Sequence, residues 1–276
     1  MTWTSLSADR LSCWFAPLRL RLARLGRRQS RVRHASEISQ ILLNLMQDLQ
    51  QHRALSGAVL DGRTEFNSEL EATELKLQRF LHALVDYYGD RHPIFHSAQW
   101  RIVLGRWESL RNNWRDLDFQ TNITVHSEVV LGVVGILQSL ANSHCDDLTQ
   151  ARARIIGRWP ILIEQLGMLR ALGLHALCHQ NLLEDARLTK AIADYLRDAR
   201  QSLEEVEGDT RSMVVVRSQR ALRRVAWLMD GNAAKYHPYT YYEEVTAVID
   251  DWYSLLRSRI QADVNAQATG QQLATN

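Results

Sequence analysis

The sequence predicts an all-α protein, and three observations support that prediction. Only 4 prolines and 13 glycines occur in 276 residues, so residues that interrupt helices are scarce. Apolar residues make up 46% of the chain, which is enough to bury a sizeable core. They recur at spacings of three and four, the period of an amphipathic helix, and no segment requires a strand.

The first four predicted helices are separated by polar or helix-breaking clusters. The helix over 37–59 stops at "DGRTEF", and the helix over 67–88 stops at "GDRHP". The third, over 97–114, carries a tryptophan at every seventh position, which predicts a buried face. The fourth, over 125–140, lies between "DLDFQTN" and "NSHCDD".

The last four predicted helices follow the same period. They cover 155–178, 185–205, 212–229 and 241–260. The clusters "EGDT" and "DGNAAKYHP" separate the last three, and Pro238 stands just before the final helix.

Two internal similarities indicate a duplication. Residues 45–60 and 162–177, at an offset of 117, are identical at six of sixteen positions. Residues 124–140 and 240–256 also match at several positions, at an offset of 116. Two weak similarities at nearly one offset favour a duplicated unit of four helices, and therefore two four-helix bundles.

The predicted domain organisation follows from this duplication. Residues 1–35 form a basic N-terminal arm or helix, and residues 36–260 form the helical domain. Its halves are about 36–150 and 151–260, and the polar tail, 261–276, is predicted to be disordered.

An arginine interrupts the apolar stripe at the same place in both copies. Arg53 and Arg170 follow the alternating four and three spacing of a core seam, with small residues nearby at Ser56, Gly57 and Gly173 that leave room for a guanidinium group. The two seams are Leu42, Met46, Leu49, Arg53, Ser56 and Leu60, and Trp159, Ile163, Leu166, Arg170, Gly173 and Leu177.

A buried arginine needs an anion, because it cannot lose its proton. Neither seam contains a carboxylate. One alternative is a structural ion pair with an acid of another helix, such as Asp116, Asp118 or Glu128, and another is an arginine whose head reaches solvent. The third alternative is a small oxyanion that accepts hydrogen bonds from the planar guanidinium groups of both arginines.

The pattern "LLNLMQDLQQHRALSGAVLDG", a later "LQRF" and the second-half segment "LGMLRALG" resemble the nitrate- and nitrite-sensing family, the NIT domain. The resemblance covers about 36–260. It implies two four-helix bundles that bind nitrate or nitrite between them through arginines, and by position Arg53 and Arg170 match those arginines.

Two positions depart from the family pattern. His52, directly before Arg53, stands where a second basic residue can contribute to the ligand site in the family, and it is the third candidate ligand-binding residue. Val248 stands where a basic side chain is expected, so this chain carries fewer positive charges.

The charge of the chain is nearly balanced, at a formal net charge of +2, and this argues against a nucleic-acid-binding body. Between Arg19 and Arg33, however, there are seven arginines and no acid. This run is either a solvated helix face or a contact with nucleic acid, an anionic membrane or an acidic partner.

Several functional classes find no support in the sequence. Glycine-rich nucleotide loops and hydrolase motifs are missing, so we expect neither an enzyme nor a cofactor. The set His175, Cys178 and His179 offers only three ligands on one helical turn, so no metal site is predicted. Three cysteines without a CxxC pair, no signal peptide, and an apolar run over 129–141 too short for a membrane span predict a cytoplasmic protein.

The sequence therefore predicts a cytoplasmic regulatory sensor in which nitrate or nitrite changes the orientation of two bundles. Because the tail is short, the expected output is a separate protein partner or a homodimer. The alternative is a helical scaffold protein that descended from such a sensor and binds no ligand.

Overall fold

A computed structural model describes the backbone of residues 8–89, 92–143, 150–179, 185–208, 212–232 and 235–275. Within those ranges it describes the side chains of residue 30 and of residues 33–142 and 154–262. Cys145 and the side chains of Cys13 and of most of the Arg19–Arg33 run lie outside these described parts.

The all-α prediction is confirmed, since the described residues contain helices and no strand. Each of the eight predicted helices is present. In order they are α1 Ala8–Leu60, α2 Asn67–Tyr88, α3 Ala98–Asn113, α4 Phe119–Ser143, α5 Gln150–His179, α6 Ala186–Glu207, α7 Met213–Trp227 and α8 Pro238–Thr275.

Both ends of the described chain are helical. Helix α1 begins at Ala8, so the basic run is continuous with the first helix of the domain. Helix α8 continues to Thr275, so the tail predicted to be disordered is helical. The tail is polar, but it is rich in alanine and glutamine, contains no proline, and has one glycine, Gly270, so nothing in it stops the helix.

The helices pack as two groups of four. Helix α1 contacts α2 and α4, and α3 contacts α4; in the second group α5 contacts α6 and α8, and α7 contacts α6 and α8. The groups meet through α1 against α5, and the contact of α4 with α5 has its counterpart in the contact of α1 with α8. This arrangement fits two bundles related by a pseudo-two-fold axis, as the duplication predicts.

One buried apolar cluster extends through both groups. Trp100, Trp107 and Trp114 are all buried, so the predicted tryptophan face packs in the core of the first group. In the second, the Trp159 and Trp252 rings meet edge to face at 5.3 Å. The two arginine-bearing helices, α1 and α5, contact each other where the two groups meet.

Two segments are long and apolar enough to cross a membrane by length and composition alone. They are Phe119–Asn142 and Arg154–His179, of which 50% and 78% are buried inside the protein. The core helices of soluble proteins pass the same test, so these segments are weak evidence for a membrane span.

Candidate anion-binding site between the two bundles

Arg53 of α1 and Arg170 of α5 are both buried, with 0% and 2% of their surfaces exposed. The sequence predicted this burial from their places in the apolar seams. Helices α1 and α5 pack against each other, and the positive charge of Arg53 lowers the pKa of Arg170.

Arg53 forms a two-point ion pair with Glu164. Its Nη1 donates to Oε1 at 2.5 Å, and its Nη2 donates to Oε2 at 3.2 Å. Nη1 also donates to the hydroxyl of Ser127 at 3.1 Å. Glu164 is itself buried and accepts a third hydrogen bond from Nε2 of Gln50 at 2.6 Å. This carboxylate therefore balances the charge of Arg53 inside the protein.

The sequence did not identify Glu164. It lies one residue after Ile163, outside the α5 seam, so the apolar period does not place it beside Arg53. The three acids that the sequence suggested have other roles. Glu128 pairs with Arg106 at 3.1 Å, Asp118 accepts from the backbone N–H of Thr121 at 2.7 Å, and Asp116 is exposed in the turn Trp114–Asp116.

Arg170 has no such partner. Among the described residues no carboxylate lies within 4.0 Å of it, and its one hydrogen bond runs from Nη1 to the hydroxyl of Thr246 at 3.0 Å. The guanidinium carbon lies 5.5 Å from the centroid of the Tyr242 ring, in a cation–π contact. Nε and Nη2 of Arg170, and Nε of Arg53, are buried without a hydrogen-bond partner.

Burial lowers the pKa of Arg170, and the positive charge of Arg53 lowers it further, while Tyr242 and the exposed Asp250 act in the opposite direction. An arginine nevertheless remains protonated at neutral pH. The cluster of Arg53, Glu164 and Arg170 therefore carries one net positive charge in the interior.

The two sequence positions that the predicted duplication relates differ in charge. At the offset of 117, the counterpart of Glu164 is Gln47, which is an uncharged amide. Gln47 donates to Asp250 at 2.7 Å and accepts from Arg257 at 2.5 Å. Gln47 is uncharged, so it supplies no negative charge to balance Arg170.

The space beside the arginines differs from the prediction. A Cβ at Gly173 would collide with the hydroxyl of Tyr241, which donates to the carbonyl of Leu169, and a Cβ at Gly57 would meet the ring of Phe119 at 3.0 Å. The glycine that admits a guanidinium is Gly167, where a Cβ would lie 2.9 Å from Nη2 of Arg53. Ser56 donates to the backbone carbonyl of Arg53.

His52 lies in a separate polar cluster of the first bundle. Its Nδ1 is 2.7 Å from Nε2 of His126, and its Nε2 is 3.3 Å from Oε1 of Glu74. The ring also meets Trp107 edge to face. The contacts of its ring thus lie among α2, α3 and α4, whereas Arg53 contacts α5. The structure does not bring His52 together with the two arginines.

Burial lowers the pKa of His52, and it lowers the pKa of His126 well below the usual range. Both imidazoles are therefore neutral at pH 7, and His52 contributes no charge to an anion site. Val248, the other departure from the family pattern, is buried beside Ala221 and Arg224 of α7. Cys178 is a free thiol whose pKa is raised to about 11 by burial.

No protein-family profile and no curated protein sequence matches the chain. Among solved structures, the NasR transcription antiterminator is similar, with a TM-score of 0.67 and 17% sequence identity over 94% of this chain and 75% of that chain. At this identity the similarity shows that the two chains share an all-α fold, and it supports the NIT-like fold that the sequence resemblance implies.

Proposed function

We propose that this protein is a regulatory sensor of a small monovalent oxyanion, nitrate or nitrite, held between the two bundles by Arg170 with help from Arg53. The observation that carries the proposal is Arg170 itself. It is 2% exposed, has no carboxylate partner among the described residues, and leaves two of its nitrogens without hydrogen-bond acceptors.

The charge of the cluster supports a monovalent ligand. Two arginines and one glutamate leave one positive charge, and a single nitrate or nitrite ion would neutralise it. A planar oxyanion suits the guanidinium fork, since two oxygens can accept parallel hydrogen bonds from Nε and Nη2 of Arg170. Both of these donors are the unpaired ones.

The two arginines have unequal roles in this proposal. Arg53 already donates twice to Glu164, and Nε is its nitrogen without a hydrogen-bond partner. Arg170 is the principal ligand, and Arg53 contributes fully only when Glu164 releases it. His52 has no direct role, since its contacts lie in the first bundle.

The position of the site provides a route to signalling. Arg170 is on α5, its hydroxyl partner Thr246 is on α8, and both helices pack against α1 of the other bundle. An anion that binds one relative position of the bundles more tightly than another shifts the protein toward that position. The output would pass to a separate protein partner or to a second copy of the chain, in the cytoplasm and without enzymatic chemistry.

Thermal unfolding with sodium nitrate, nitrite, chloride and sulfate at matched ionic strength tests the proposal. A ligand at a hundred times its dissociation constant stabilises the native state by about 2.7 kcal/mol. We expect the unfolding temperature to rise with nitrate or nitrite only. The rise should be lost in Arg170→Met. It should be kept in Arg79→Met, the control, which changes an exposed arginine of α2. If nitrate raised the unfolding temperature of Arg170→Met as much as that of the parent protein, the proposal would be wrong.

The scaffold alternative is favoured by one observation, the internal neutralisation of Arg53 by Glu164. It predicts that no small anion selectively raises the unfolding temperature. For the basic run Arg19–Arg33, a nucleic-acid or membrane contact remains a proposal, and binding that does not weaken as salt rises would contradict it.

A further inference from the structure

A second polar cluster joins the ends of α1 and α5. It consists of Asp61, which directly follows α1, and of His175 and His179, one turn apart near the end of α5. Nδ1 of His175 lies 2.7 Å from Oδ2 of Asp61, and Nε2 of His179 lies 2.8 Å from Oδ1. One donor atom of each residue lies within 4.8 Å of the others.

The backbone and a neighbouring ring hold two of these side chains in place. Gly62, at a φ of 80°, ends α1, and the N–H groups of Gly62 and Arg63 donate to the carbonyls of Val59 and Ala58 at 2.9 and 3.0 Å. The carboxylate of Asp61 is only 3% exposed. The ring of His175 stacks on Phe119, with the two centroids 3.5 Å apart.

Access and charge both suit a cation. The side chain of His179 is 55% exposed, so an ion can reach the cluster from solvent. A carboxylate lies where two helices end, and helix C-termini carry partial negative charge. Arg63, the cation two residues after Asp61, lies 3.9 Å from Glu65 and also contacts Cys178 beside the cluster.

The donor set indicates which cation. Two histidines at positions i and i+4 of a helix can bind one metal ion, and two imidazole nitrogens with one carboxylate oxygen suit zinc. Magnesium and calcium prefer sites built only of oxygen ligands. We propose that Asp61, His175 and His179 bind one zinc ion, with the fourth position open to water. The ion would link the end of α1 to the end of α5, and so link the two bundles.

Calorimetric titration of the full chain with zinc chloride, after treatment with EDTA, tests this site. We expect one ion per chain, a rise in the unfolding temperature on zinc addition, and no such rise with magnesium chloride. Loss of a ligand in Asp61→Asn or His179→Ala should weaken zinc binding at least about tenfold. The exposed position of His179 makes His179→Ala a mild change for the fold. The control His82→Ala removes an exposed histidine of α2 and should keep the affinity of the parent protein.

Three results would overturn the proposal: no zinc binding at millimolar concentration, equal affinity in Asp61→Asn and the parent, or loss of binding in Cys178→Ala. The last result would assign the ion to a thiol instead of the Asp61 carboxylate. The zinc and anion proposals fail separately, because Arg170→Met should leave zinc binding unchanged.

Discussion

Arg53 and Glu164 form a buried ion pair across the interface of the two bundles, with contacts at 2.5 and 3.2 Å. This pair neutralises one of two equivalent arginines and leaves Arg170 to be neutralised by something else. At the offset of the predicted duplication, Glu164 of the second half corresponds to Gln47 of the first. The first two predictions follow from that contrast.

Glu164→Gln should increase the response to nitrate. The substitution preserves the shape of the side chain but leaves Arg53 and Arg170 without a carboxylate, and removing one partner of a buried pair destabilises a protein by about 3–5 kcal/mol. We therefore expect a lower free energy of unfolding without nitrate and a larger stabilisation by nitrate than in the parent. Urea unfolding with and without nitrate measures both effects, and an unchanged nitrate effect would contradict the proposed charge balance.

Gln47→Glu should weaken the response to nitrate, because it adds a negative charge beside Asp250, whose charge already acts on Arg170. Gln120→Glu, at an exposed position of α4, adds the same charge elsewhere and should leave the response unchanged. Combined with Glu164→Gln, the substitution should make Arg53 the principal ligand of the anion in place of Arg170.

Thermal unfolding of the combined variant, with each arginine replaced in turn by methionine, checks this exchange. If the nitrate response still depended on Arg170 alone, the exchange would be contradicted.

Acid should destabilise the protein through His126 and His52. Burial lowers the pKa of both groups, so the folded state binds fewer protons than the unfolded state once the pH falls through the unfolded histidine value of about 6.5. The free energy of unfolding should therefore fall below about pH 6.5. The lowered pKa of Glu74, caused first by its hydrogen bond with His52, adds a further loss below about pH 4.5.

Urea unfolding between pH 7.5 and 5 measures this dependence. His126→Gln should flatten the curve, and His82→Gln, which changes an exposed side chain, should not. If the parent and His126→Gln lost stability equally over this range, the assignment to the buried histidine would be wrong.

Gly167→Ala should loosen the contact between α1 and α5. The new Cβ would lie 2.9 Å from Nη2 of Arg53 and 3.0 Å from Nε2 of Gln50, both of which donate to Glu164. Overpacking of this kind typically destabilises by about 1–3 kcal/mol. The matched change Gly105→Ala meets no atom within 4 Å and should stabilise α3, by up to about 1 kcal/mol. Equal unfolding free energies in the two variants would contradict this account.

The sequence by itself determined the helices and the burial of the two arginines. Helical periodicity depends on residues three and four apart, so each of the eight helices could be located from its own segment. The seams also placed Arg53 and Arg170 in the interior, because a residue in an apolar stripe follows that stripe into the core. The polar composition of the tail predicted disorder, but its alanine and glutamine residues favour a helix and it contains no proline.

Only the tertiary structure decided which residues meet. Glu164 lies 111 positions from Arg53, and Asp61 lies 114 positions from His175. His52 is next to Arg53 in the sequence, yet its ring contacts His126 and Glu74 on other helices. Neighbouring residues of a helix point in directions about 100° apart, whereas partners across an interface are set by the packing of whole helices. The net charge of the arginine site therefore depends on contacts between distant residues, which the helical spacing of the sequence does not predict.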